Sequence, residues 1–165
     1  MITFIRPEKH YTQSYWEAVD TICKEGIYLA ASEGFPLEST IEFVKSCIDK
    51  GIPMLFAIDT TTDRCIGWCD AVLKTETIGY LGTGLLADYR EQGIGTQLIK
   101  EVIALSKAYG YHQLELDVRS SNSRAIHVYE QLGFSTTNVI SDGFTLQGHA
   151  VTEDVVQMTL DLIAK

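Results

Sequence analysis

Arg90-Glu91-Gln92-Gly93-Ile94-Gly95 is the stretch on which the fold turns. An apolar, strand-like segment runs up to it, Ile78 to Ala87. A helical pattern follows, Thr96 to Ala108, with Leu98, Ile99, Val102, Ile103 and Leu105 at helical spacings. A strand that turns through two glycines into a helix gathers several backbone N–H groups, and the positive end of the helix dipole, at one point. Such a turn receives phosphate oxygens. Glycine suits both positions because a side chain there would hold the anion off the amides. Arg90 adds a cation at the rim.

The second informative stretch is Asp117-Val118-Arg119-Ser120-Ser121-Asn122-Ser123-Arg124-Ala125-Ile126-His127-Val128-Tyr129-Glu130-Gln131-Leu132-Gly133-Phe134. Leu114 to Val118 reads as a short buried strand. Ser121, Asn122 or Ser123 can cap the helix that follows, and Gly133 is placed to end it. Asn122, Ala125, Tyr129 and Leu132 fall near one face of that helix, with Asn122 and Tyr129 about 10 Å apart along it at ~1.5 Å per residue. An amide, a small residue and a phenol in that order suit a long, thin ligand lying on the helix. His127 falls about 160° around the helix from Tyr129, facing away.

Taken together, Leu85-Leu86-Ala87-Asp88-Tyr89-Arg90-Glu91-Gln92-Gly93-Ile94-Gly95-Thr96 and Asn122 to Phe134 resemble the GNAT superfamily of acyl-CoA N-acyltransferases. The likeness rests on Arg-x-x-Gly-x-Gly followed by Asn-x-x-Ala-x-x-x-Tyr-x-x-x-Gly-Phe, and at motif level it covers Tyr80 to Phe134. It implies an α/β (α+β) fold, with a central mixed, mostly antiparallel seven-stranded sheet, about four flanking helices, and strands four and five splayed apart. It implies acetyl-CoA as the acyl-donor co-substrate, no metal, and a homodimer. Pantetheine would enter the splay and bond to the backbone of Leu85 and Leu86. The diphosphate would sit on the turn formed by Arg90, Glu91, Gln92, Gly93, Ile94, Gly95 and Thr96. Asn122, Ala125 and Tyr129 would line the cofactor, with Asn122 either bonding to it or ordering the helix start. Tyr129 would be the acid that protonates the departing thiolate. Gly82 and Gly84 mark a place on strand four where a bulge or a close ligand approach is wanted.

The general base departs from a frequent family pattern, a glutamate on strand four acting through water. Ile78 to Ala87 contains no carboxylate. The nearest candidates are Asp70, in the preceding strand among Ile66, Trp68, Cys69, Ala71 and Val72, and Glu33, between the first two helices. Either is a candidate for binding the acceptor's ammonium or for removing its proton; a water chain in place of any base is also open. The surrounding residues alternate too poorly to say which way Asp70 faces. The acceptor pocket would be built from the Ser32 to Leu37 loop, strand four and the Ser141 to Glu153 connection, the segments that vary with function. The activity implied is transfer of an acetyl group to a primary amine of a small-molecule or peptidic acceptor. A non-catalytic acyl-CoA-binding sensor is the alternative, against which Tyr129 weighs. A dinucleotide-binding domain is disfavoured, because Leu98 stands where its third glycine belongs.

Composition agrees with this reading. The chain has 165 residues, 45% hydrophobic and 21% charged, as expected of one globular domain over 1–165. A formal charge of −9 argues against nucleic acid as a partner and favours a cationic one. No apolar run reaches the ~18 residues of a membrane span and the N-terminus lacks a signal core, so a cytoplasmic protein is expected. Cys23, Cys47, Cys65 and Cys69 read as reduced, packed thiols. Cys65 and Cys69, four apart on a strand, are expected on one face, where a zinc pair would lack any nearby histidine.

The remaining elements follow from periodicity and breakers. A strand spans Ile2 to Arg6, and helices span Tyr11 to Lys24 and Leu37 to Lys50, closed near Gly26 and Gly51. Three strands, Met54 to Asp59, Cys65 to Leu73 and Ile78 to Ala87, form an antiparallel meander. Two more, Ser135 to Ile140 and Val155 to Leu162, follow the Asn122 helix.

Overall fold

The computed structural model describes residues 1–27, 33–145 and 152–163. Its strands are β1 (Ile2–Ile5), β2 (Met54–Asp59), β3 (Arg64–Leu73), β4 (Ile78–Leu85), β5 (Gln113–Arg119), β6 (Ser135–Thr145) and β7 (Thr152–Asp161). Its helices are α1 (Thr12–Glu25), α2 (Leu37–Lys50), α3 (Ile94–Tyr109) and α4 (Ser123–Gln131). All seven strands form one sheet in the order β1-β2-β3-β4-β5-β7-β6. Every neighbouring pair is antiparallel except β4 and β5, which run parallel.

Helices cover the sheet on both faces, so its central strands read as apolar runs rather than clean alternations. On one face α1 and α2 supply Tyr15, Ile22, Val44 and Cys47, packed on Met54, Phe56, Ile58, Cys65 and Trp68. On the other face α3 supplies Leu98, Ile99 and Val102, packed on Leu55, Ala57, Cys69, Leu114 and Leu116. Tyr129 and Leu132 of α4 pack against that second cluster.

Two irregularities position the site. The first is the short β4–β5 ladder, which pairs Ile78–Tyr80 with Gln113–Glu115 and goes no further. β4 continues to Leu85 and β5 to Arg119, so the strands diverge and open a gap through the sheet, the expected splay. The second is a bulge in β3. Ala57 pairs with Gly67 but Ile58 pairs with Cys65, leaving Ile66 unmatched. The extra residue inverts the in–out alternation. Cys65 therefore packs in the α1/α2 cluster and Cys69 in the α3 cluster. The expectation that these two thiols share a face, and with it a zinc pair, is corrected by this bulge.

Other boundaries differ by short-range causes. β4 stops at Leu85 because a 3₁₀ turn, Ala87–Tyr89, takes over. α3 begins at Ile94, two residues earlier than the apolar pattern. β6 runs on to Thr145 and β7 starts at Thr152, so residues 141–145 and 152–153 of the Ser141 to Glu153 connection are strand rather than loop. Residues 146–151 and 28–32, Ser32 included, lie outside the described residues, and Leu37 already belongs to α2.

Candidate active site and cofactor cleft

The turn between β4 and α3 forms a nest of backbone amides. Gly93 caps α3 with φ +81°, which a side chain would strain. The first helical bond runs from the Gln97 N–H to the Gly93 carbonyl at 3.1 Å. The N–H groups of Ile94, Gly95 and Thr96 therefore have no helical acceptor and point out of the helix end. A Cβ built on Gly93 or on Gly95 would meet nothing within 4 Å. At Gly95, whose φ is ordinary, glycine answers no packing need of the protein. It leaves an open seat in front of the amides.

That seat opens into a cleft of about 810 Å³, lined by β4 from Tyr80 to Leu85, by the α3 start, by the end of β5 and by Asn122, Ala125 and Tyr129 of the α4 side. Arg90, Glu91, Gly93, Gly95 and Thr96 all line it, whereas Gln92 is exposed and its side chain bonds back to the Asp88 carbonyl at 3.0 Å. The Arg90 guanidinium grips both carboxylate oxygens of Glu25 at 3.0 Å and donates from Nε to the Leu85 carbonyl at 2.8 Å. Its charge is matched by α1, so its first role is to pin the turn. Glu91 pairs with Arg124 across the cleft mouth.

Of the two backbones expected to receive pantetheine, only one is open. The Leu86 N–H donates to the Ile66 carbonyl at 2.9 Å, and the Leu86 carbonyl accepts from Tyr89 at 3.0 Å. Because backbone direction alternates along a strand, the Leu85 N–H turns the other way, into the gap.

Asn122 is the N-cap of α4, its Oδ1 accepting from the Ala125 N–H at 3.3 Å. Tyr129 sits two turns further, edge-on to Phe134 with ring centroids 5.8 Å apart. No hydrogen bond reaches the Tyr129 hydroxyl among the described residues, and burial raises its pKa. It is a neutral donor facing the cleft.

The opposite wall belongs to the α1/α2 face. Asp70 shares that face with Trp68, pairs across the strands with Gly82, and is only 7% exposed. Its Oδ1 lies 3.4 Å from where a Cβ on Gly82 would stand, so it stands behind that cleft-lining glycine without lining the cleft itself. No side chain or amide bonds to it among the described residues, and desolvation pushes its carboxyl up to about 7. Glu33, in contrast, is exposed, stands outside the cleft lining and acts on Lys24 of α1. Gly84 is explained by packing: a Cβ there would lie 2.4 Å from the Trp68 ring.

A model of the acetyltransferase (GNAT) family matches residues 15–134. The chain belongs to that family. By enzyme class it is an N-acetyltransferase. Among curated GNAT relatives, the ribosomal protein bS18-alanine N-acetyltransferase of Salmonella typhimurium strain LT2 is 36% identical over 104 residues, 62% of this chain and 68% of that protein. The N-alpha-acetyltransferase of Sulfurisphaera tokodaii is 40% identical over 57 residues, 34% of each chain. Two solved GNAT structures superpose over nearly the full length. The acetyltransferase of Streptococcus pneumoniae has TM-score 0.88 at 18% identity, covering 98% of this chain and 99% of that one. The phosphinothricin acetyltransferase of Sinorhizobium meliloti, solved with acetyl-CoA, has TM-score 0.87 at 17% identity, covering 97% and 88%. Among the described residues no helix is long and apolar enough to cross a membrane.

Several residues of this GNAT site escape a reading of local pattern. Tyr80 donates to Asp117 Oδ2 at 3.0 Å, and Gln157 of β7 donates to Asp117 Oδ1 at 3.2 Å. Arg119 donates to Glu153 Oε2 from Nε at 3.0 Å and from Nη2 at 2.6 Å, bonds to the Ile27 carbonyl, and stacks 4.1 Å over the Phe144 ring. That knot joins the exit of α1 to the β6–β7 hairpin, and with the Ser121 N–H donating to it, Glu153 is held down at about 2. Alternation on β5 is the signal available in the sequence. With Leu114, Leu116 and Val118 turned to α3, Glu115, Asp117 and Arg119 must face the acceptor side.

Proposed function

We propose that the chain transfers the acetyl group of acetyl-CoA to a primary amine of a small or peptidic acceptor, by direct attack in a ternary complex. One observation carries this reading. A single gap in the sheet has the amide nest and the Tyr129 phenol on one face, and an unpartnered, buried carboxyl, Asp70, on the other.

The chain's groups divide the work as follows. The nest and Arg124 hold the diphosphate. The Leu85 N–H holds pantetheine as an added strand would be held. Asp70, with its pKa near 7, takes the proton of the ammonium at neutral pH, and before that its anionic form attracts the cation. The free amine attacks the thioester carbon, the C–N bond forms and the C–S bond breaks, and the nitrogen gives up its second proton to water. The thiolate takes the Tyr129 proton, which solvent restores, while Asp70 releases its own. A phenol whose pKa is raised remains a competent donor because the same desolvation raises the basicity of the thiolate. The acceptor class includes a peptide N-terminus by kinship with the bS18-alanine enzyme.

The test is binding and turnover together. Acetyl-CoA should raise the melting temperature by mass action. Gly95→Asp, which puts a side chain and a negative charge in the open seat, should abolish the shift while leaving the fold intact. Thiol release should then appear with some member of an amine and peptide panel. Undiminished CoA binding by folded Gly95→Asp would remove the cofactor site, and binding without thiol release from any amine would make the chain a sensor.

A further inference from the structure

Among the described residues every charged side chain that lines the cleft forms an ion pair except Asp117. Arg90 pairs with Glu25, Arg119 with Glu153, and Glu91 with Arg124. Glu115, one step back on the same face of β5, pairs with Lys74. Among the described residues Asp117 bonds to the neutral donors Tyr80 and Gln157. Both its oxygens are held in place, Lys74 acts on it only from its ion pair with Glu115, and it is exposed to the cleft.

Its position is set by register. Tyr80 is the last residue of β4 paired to β5, opposite Glu115. Two residues on, Gly82 and Asp117 stand in the same row, with the gap opening between them. Gly82 is in turn paired with Asp70 on its other side. Asp70, Gly82 and Asp117 thus form a row across three strands, two carboxylates flanking a residue with no side chain. At ~4.8 Å between strands, the two Cα atoms are about 10 Å apart, and more where the strands splay. Asp70 supplies the second mark of a ligand site: 7% exposed, without a hydrogen bond among the described residues, and with Oδ1 aimed at the empty side-chain space of the cleft-lining Gly82.

We propose that the acceptor carries two positive charges, the reacting ammonium at Asp70 and a second, fixed cation at Asp117. This rests on the transferase reading above and names the substrate class of the same site. The two carboxylates have different tasks. Asp70 is buried, unpartnered and suited to exchanging a proton, whereas Asp117, fixed by two donors, is suited to holding a cation that does not react. A monovalent amine would leave Asp117 covered by the acceptor and unpaired, which costs binding. Two sources present this chemistry, a short alkane diamine and a peptide whose N-terminal residue is followed by a basic one.

Matched pairs test it: diaminobutane against n-butylamine, and Ala-Arg amide against Ala-citrulline amide, each with saturating acetyl-CoA. In one pair the dicationic member should be favoured by roughly tenfold in kcat/KM, mainly through KM, as one charge contact in a partly desolvated cleft gives. The pair that shows the preference identifies the source. Asp117→Asn should bring that preference towards parity with acetyl-CoA affinity unchanged, Asp117→Glu should retain part of it, and added salt should shrink it in the wild type. Parity within both pairs for the wild-type enzyme, or an equal loss on both members in Asp117→Asn, overturns the assignment of Asp117. No turnover of any of the four amines while acetyl-CoA still binds would instead overturn the transferase reading, and this inference with it.

Discussion

Burial lifts the Asp70 carboxyl to about 7, and the direction of the lift gives it a signature in solution. In the unfolded chain an aspartate titrates near 4. Between those values the folded protein keeps a proton that the unfolded chain has shed, so this group makes stability fall as pH rises through that window and level off above about 7. Asp70→Asn removes the fall. Its unfolding free energy should exceed the wild type's at pH 8 by more than at pH 4, the difference amounting to a few kcal/mol at most; a gap that is the same at both would mean that the carboxyl is not desolvated. In the same variant the acid limb of kcat/KM near pH 7 should vanish. Tyr129→Phe is the complementary change. It keeps the edge contact with Phe134 and removes only the donor. kcat should drop by roughly 10²-fold or more while the acetyl-CoA Kd holds, provided chemistry limits the rate. An unaltered kcat under that condition would leave the phenol a packing residue.

Among the elements, Gly82 and Gly84 of β4 and Gly95 of the α3 turn are glycines for different physical reasons, and substitution separates them. A methyl on Gly84 would enter the Trp68 ring at 2.4 Å, so Gly84→Ala should destabilise by about 1–3 kcal/mol, read as a lower denaturant midpoint. A methyl on Gly95 meets nothing, so Gly95→Ala should leave that midpoint near the wild type's yet weaken CoA binding. If Gly95→Ala bound CoA normally, the open seat would not be a phosphate seat. Gly82 lies between these cases, its Cβ position bordering the Asp70 carboxylate. Much of this is legible in the sequence: the helices announce themselves by apolar spacing, and the α4 cap by residue type as one of Ser121, Asn122 and Ser123. What was not legible is long-range. The pairing of Arg90 with Glu25 joins residues far apart in sequence, and nothing local distinguishes it from an arginine left for phosphate. The facing of Asp70 was hidden for a different reason, since both sides of β3 are buried and a bulge interrupts its alternation.

At the scale of the molecule, three residue pairs make up the β4–β5 ladder, the shortest in the sheet, with the Tyr80–Asp117 bond at its open end, and beyond it the two parts of the sheet diverge. A cofactor seated in the gap would touch both parts. Acetyl-CoA should therefore slow amide exchange in β4 beyond Tyr80 and in β5 beyond Glu115 together, while β1 and β2 stay unchanged. Protection restricted to the start of α3 would mean that the ligand binds by its phosphates alone. This gap is legible in the sequence only through family resemblance. Periodicity shows that strands exist, whereas their divergence depends on where a ladder stops pairing.

The unmatched Ile66 gives β3 something like a reading frame. Residues before it and residues after it are assigned to opposite sides of the sheet by the count of residues between them, whatever their chemistry. Removing that one residue would shift the frame: either Arg64 and Cys65 or the whole run from Trp68 to Leu73 would change sides. In the second case Asp70 would be delivered to the cofactor's side and Cys69 to the acceptor's. No point substitution can accomplish that exchange. Where β3 of a related chain lacks the extra residue, an acidic side chain aligned with Asp70 letter by letter would face the wrong way, and its acceptor chemistry would have to be sought one position along.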